Sequence, residues 1–128
     1  MESLRRIAPF RTYSIGQLCR EFGCTARALR FYEEQGLLFP RRSQLQRIYS
    51  YKDRARLQLI VRGRRVGLTI IEIRKILDTY EEKGEAAQNA LALRIFKTRL
   101  ASLEAERAEI DGAVQSLHEA CDRLAQAA

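Results

Sequence analysis

Residues 13–36 read Tyr13-Ser14-Ile15-Gly16-Gln17-Leu18-Cys19-Arg20-Glu21-Phe22-Gly23-Cys24-Thr25-Ala26-Arg27-Ala28-Leu29-Arg30-Phe31-Tyr32-Glu33-Glu34-Gln35-Gly36. Gln17 follows Ser14 at the spacing of a capping box, and Tyr13 is placed to staple against Leu18. Ile15, Leu18, Cys19 and Phe22 then fall on one helical face, which Gly23 ends after about two turns. Thr25 is the next N-cap, with Cys24 and Leu29 in the staple positions, and Gly36 closes the second helix. At about 100° per residue, Thr25, Ala28, Leu29 and Tyr32 share one side of it. Arg27, Arg30, Phe31 and Glu34 share the other.

Beyond Gly36 the pattern changes. Leu37-Leu38-Phe39, ended by Pro40, and Arg47-Ile48-Tyr49 are β-favouring runs that predict a small two-stranded wing. Ser50 with Asp53 opens a third helix containing Leu57, Ile60 and Val61, stopped by Gly67. Thr69 and Glu72 box the start of a fourth, with Leu68 and Ile73 as its staple and Ile73, Ile76, Leu77 and Tyr80 as its buried face. Two short capped helices around a glycine turn, followed by a basic wing, predict a helix-turn-helix whose second helix enters a major groove. Arg27 and Arg30 could then reach base edges or phosphates. Arg41, Arg42 and Arg47 on the wing, with Arg62, Arg64 and Arg65 ending the third helix, would add phosphate contacts.

The charge distribution agrees. Residues 1–66 hold 15 Lys/Arg against 5 Asp/Glu, a balance of +10, whereas residues 67–128 carry −3. A basic half joined to a mildly acidic one suits a polyanion-binding module coupled to a part with another task. The 128 residues are 46% hydrophobic and 30% charged with only 2 Pro, which excludes collagen-like and wholly disordered classes. No apolar run approaches the roughly 20 residues of a membrane span, and no secretory signal is evident. Three Cys without tight pairing fit a reducing cytoplasm.

In the second half Leu93, Phe96, Leu100, Leu103, Arg107, Ile110, Val114, Leu117, Cys121 and Leu124 recur at alternating spacings of 3 and 4. That is a coiled-coil seam about 48 Å long, interrupted only by Arg107, and a second chain is its expected cover. Paired end to end in antiparallel fashion, Arg107 lies near the two-fold axis. There it either fixes register or packs its stem while its head reaches solvent.

The segments Tyr13–Leu18, Arg27–Leu38, Arg47–Ser50, Val66–Thr69 and Glu72–Leu77 together resemble the MerR family of bacterial transcription regulators, over residues 13–80. The resemblance implies a mainly α fold, a winged helix-turn-helix domain followed by a long dimerisation helix in an antiparallel coiled coil. It further implies a homodimer on double-stranded DNA at an inverted-repeat promoter site. The promoter spacer is distorted there so that RNA polymerase can engage. By position, Arg30, Phe31 and Tyr32 match the family's recognition segment, and Arg47 and Tyr49 its wing. The wing tip departs from the family, with Leu45-Gln46 where a glycine is common. The expected organisation is an arm at 1–12, a DNA-binding domain at 13–80, a linker at 81–90 and a dimerisation helix at 91–126. The expected DNA-binding residues are Ser14, Thr25, Arg27, Arg30, Phe31, Tyr32, Arg41, Arg42, Arg47, Tyr49, Arg62, Arg64 and Arg65. Arg5, Arg6 and Arg11 in the arm either touch a minor groove or belong to a disordered tail.

Family metal sensors place Cys around the start of the dimer helix, but residues 78–95 contain neither Cys nor His. His118 and Cys121 supply two ligands where a closed zinc site wants four, so Cys121 is expected to pack on the seam and no metal or cofactor is expected. With the seam reaching the chain's last residues, no large ligand-binding domain is expected, and no effector is identified. A small molecule would have to lodge near Tyr80–Gly84 or between subunits. An enzyme is not expected: there is no Gly-rich phosphate loop, and the lone His, His118, lies on the coiled coil. Two other classes compete, a coiled-coil adaptor for an acidic protein and a non-specific architectural or RNA-binding protein. Recovery of a specific inverted repeat separates the first reading from these.

Overall fold

The structure is a computed structural model that describes residues 11–128. The helices of residues 15–83 start where side chains satisfy the orphan N–H groups of a first turn. Helix α1 (Ile15–Phe22) is capped by Ser14, whose Oγ accepts the Gln17 N–H at 3.1 Å while Gln17 Oε1 accepts the Ser14 N–H at 2.8 Å. Helix α2 (Ala26–Glu34) is capped by Thr25, and helix α3 (Tyr51–Arg65) by a box of Ser50 and Asp53. Helix α4 (Ile70–Lys83) starts on a box of Thr69 and Glu72. Such caps contribute about 1 kcal/mol each. Gly23, at φ 65°, reverses the chain between α1 and α2 in a conformation that costs an L-residue steric strain.

The wing is larger than the two strands expected. Strands β1 (Thr12–Ser14), β2 (Arg41–Ser43) and β3 (Gln46–Ser50) form an antiparallel sheet in the order β1-β3-β2. Tyr13 pairs with Tyr49, and Arg42 with Arg47. The apolar run Leu37–Phe39 is not a strand. Leu37 and Leu38 are buried in the core and Phe39 is 63% exposed. The polar Arg41–Ser43 takes the edge position instead, where backbone pairing suffices and every side chain can face water. Gln44 and Leu45 close the hairpin with φ of 50° and 71°. A two-residue turn of this kind needs positive φ at both positions and favours Asn and Gly, so two ordinary L-residues there cost about 1 kcal/mol or more apiece.

Two units are distinguished along the described residues, 11–88 and 89–128. The core of the first is built from Leu18 on α1, Leu29 on α2, Tyr49 on β3, Leu57 and Ile60 on α3, and Ile73 and Ile76 on α4, all without exposed surface. Gly63 lets α3 and α4 close up, since a Cβ there would sit 3.1 Å from Ile73 Cγ1 and 3.2 Å from Leu68 Cδ1. Two charged groups are buried with them. Asp53 accepts from the N–H groups of Phe39 (2.9 Å) and Ser50 (3.1 Å), pinning the loop after α2 to the start of α3. Arg56 donates from Nε to the Leu37 carbonyl at 2.7 Å and stacks its guanidinium over Phe39.

Helix α5 (Glu85–Ala127) runs for 43 residues. The stretch 81–90, expected as a linker, is helical on both sides of Gly84, which alone interrupts the path at φ 89°. Along α5 the expected seam is an apolar stripe. Leu93, Phe96, Leu100, Ile110, Val114, Leu117, Cys121 and Leu124 are exposed within the chain, Leu103 is half-buried, and Arg107 is exposed among them.

Candidate nucleic-acid interface

Helix α2 is amphipathic in the sense its sequence requires. Leu29 and Tyr32 point into the core, while Arg27, Arg30, Phe31 and Glu34 are exposed on the opposite side. Among the described residues, the side chains of Arg27 and Arg30 have no hydrogen-bond or ion-pair partner. Two free guanidiniums beside a 42% exposed Phe31 ring form a surface suited to bases and phosphates.

The wing is tied to this helix through one carboxylate. Glu33 accepts from Arg47 Nε at 2.7 Å and lies 3.6 Å from Arg42 Nη2, so α2 is joined to both strands of the hairpin. The bond it donates to Glu33 raises the Arg47 guanidinium above its ordinary pKa. Arg41 has no such partner and is fully available at the edge. At the end of α3, Arg65 Nη2 donates to the Phe22 carbonyl closing α1, and Arg64 Nη1 to the Leu68 carbonyl, each at 3.1 Å. These two arginines brace helix ends. Arg62 beside them has no partner among the described residues.

Two of the expected DNA-binding residues are not on the surface. Tyr32 is 8% exposed and Tyr49 fully buried, because each lies on the inward side of its element. Burial pushes the Tyr49 phenol up to about 12, and its hydroxyl has no hydrogen-bond partner among the described residues. Ser14 and Thr25 are exposed, but their hydroxyls are engaged as helix caps. Arg11 stacks over Tyr13, whereas Arg5 and Arg6 lie outside the described residues.

The family description "MerR HTH family regulatory protein" matches residues 13–80, more than half of the chain. The chain belongs to the MerR family. A second description, "MerR, DNA binding", matches residues 54–120. This MerR-family chain is 29% identical over 112 residues to the HTH-type transcriptional regulator HmrR of Rhizobium leguminosarum bv. viciae, covering 84% of this chain and 85% of that one. Among solved structures, it is 32% identical to the HTH-type transcriptional regulator SkgA of Caulobacter crescentus, with a TM-score of 0.54 over 82% of this chain and 73% of that one. It shares the fold of HiNmlR, a MerR family regulator lacking the sensor domain and bound to promoter DNA. There the identity is 22% and the TM-score 0.63, covering 82% of this chain and 80% of that one. The protein is therefore a DNA-binding transcription regulator, and MerR regulators are not enzymes.

No three His, Cys, Asp or Glu side chains converge as metal ligands among the described residues. Burial, followed by the neighbouring Cys19 thiol, pushes the Cys24 thiol above its usual range, which makes it a poor nucleophile. A cleft of about 290 Å³ opens beside α4, lined by Phe39, Lys52, Arg56, Asp78 and Glu81 among others. Its Lys52 and Arg56 are paired with Glu81. No helix among the described residues is long and apolar enough to cross a membrane. Glu33 was not legible as a site residue, since its partner Arg47 is 14 positions away and no local spacing links them.

Proposed function

We propose that this MerR-family regulator works in the cytoplasm as a homodimer that grips an inverted-repeat promoter site and distorts its spacer for RNA polymerase. The observation that carries the DNA contact is the unpaired Arg27–Arg30–Phe31 face of α2, with Arg41 and Arg42 of the wing beside it. On this reading Arg27 and Arg30 enter the major groove, and Arg41, Arg42 and Arg62 bind phosphates. Arg47, Arg64 and Arg65 hold the surface in shape. Residues 13–80 act as the DNA-binding domain and 91–126 as the dimerisation helix. The stripe from Leu93 to Leu124 pairs antiparallel with a second copy, placing Arg107 near the two-fold axis. Such a dimer spaces two recognition helices for two half-sites. Bending the DNA between them is the indirect readout by which promoter distortion acts. No metal enters this account.

Two substitutions test it on one footing. Arg30→Ala is expected to weaken operator binding by about 1–3 kcal/mol with an unchanged melting temperature. Leu103→Asp is expected to turn the dimer seen by sedimentation into monomer and to abolish operator binding. Full operator affinity in a monomeric Leu103→Asp chain contradicts the dimer reading. Full affinity in Arg30→Ala contradicts the placement of α2.

A further inference from the structure

The wing tip combines two costs that the fold itself does not offset. Gln44 and Leu45 both hold positive φ, and Leu45 is 96% exposed, the highest value among the large hydrophobic side chains of the described residues. Asn or Gly would suit the turn better, and a polar side chain would suit water better. Backbone strain of this kind clusters at functional sites. The surroundings indicate what it contacts. Arg41 and Arg42 lie immediately before the turn, both exposed, so the tip is an apolar point on a cationic hairpin. The matching surface is a nucleic-acid groove edge, where apolar deoxyribose carbons are bordered by phosphates.

We propose that Leu45 lays its side chain against the deoxyribose edge of the operator's minor groove, while Arg41 and Arg42 hold the bordering phosphates. This rests on the DNA-binding reading above and adds to it an apolar contact made by the tip itself. A groove contact of this kind supports affinity without releasing counterions, so it is separable from the arginines by salt.

The test uses a duplex that the wild-type chain recovers from a random pool, compared across Leu45→Gly, Leu45→Asn, Leu45→Met and Arg42→Ala. Gly and Asn are expected to raise the melting temperature by about 2–5 °C, because they relieve the turn. They are also expected to weaken binding by about five- to tenfold with an unchanged salt slope, and to lose hydroxyl-radical protection of the sugars under the wing. Met is expected to keep near wild-type affinity, and Arg42→Ala to lower the salt slope by about two, one for each subunit of the bound dimer. Gly and Asn variants with unchanged affinity and sugar protection overturn the inference, even where transcription falls. A wild-type chain that recovers no duplex overturns the DNA reading and this inference together.

Discussion

Tyr49 shows at the scale of one residue how the wing is anchored and what that costs. Its ring fills the core while its hydroxyl is left without a partner. A buried unsatisfied hydroxyl is destabilising, so Tyr49→Phe is expected to be neutral or to stabilise by about 1 kcal/mol in urea unfolding. The raised pKa carries a pH signature. The folded state holds the phenol proton up to about pH 12, whereas an unfolded tyrosine releases it near its ordinary value of 10. The stability contributed is therefore fully present below pH 10 and is lost as pH rises from there through 12, at up to about 1.4 kcal/mol per unit. Tyr49→Phe is expected to flatten that decline relative to wild type. A loss of more than about 1 kcal/mol at neutral pH would show instead that the hydroxyl is hydrogen-bonded. Matching motif positions placed Tyr49 and Tyr32 among the DNA contacts. Such a match gives a residue's place in the chain but not the side of its strand or helix, and here both face inward.

Among the elements, local signals were legible and distant ones were not. Ser14–Gln17, Ser50–Asp53 and Thr69–Glu72 are three-residue spacings, so the helix starts could be taken from the chain itself. Strands β1 and β2 exist only through pairing with β3. β2 carries no apolar residue, so nothing in its composition distinguishes it from a loop. The Glu33 link between α2 and the hairpin is equally non-local, and it fixes α2 against the wing. Glu33→Gln removes one negative charge near the DNA while loosening that link. Non-specific duplex affinity is expected to rise and operator affinity to rise less, so the ratio of the two falls, as titrations on operator and scrambled duplexes would show. An unchanged ratio would reduce Glu33 to a surface ion pair of little consequence.

For the molecule as a whole, the division of labour is written in charge and periodicity. The first 66 residues carry +10 and present the unpaired arginines, and the seam of α5 repeats at 3 and 4 without needing any tertiary partner to define it. That is why the apolar stripe is readable from spacing alone, whereas the strand pairing of the wing is not. On the proposed reading, two basic modules paired through the long helix of each copy recognise a symmetric site, with α2 reading sequence and the wing and α3 end gripping backbone. The most direct measurement is selection of duplexes from a random DNA pool at two salt concentrations. Recovery of one inverted repeat is expected, bound by a dimer with affinity falling steeply as salt rises. Salt-sensitive binding that enriches no sequence, or a single unrepeated half-site bound by one chain, would contradict it.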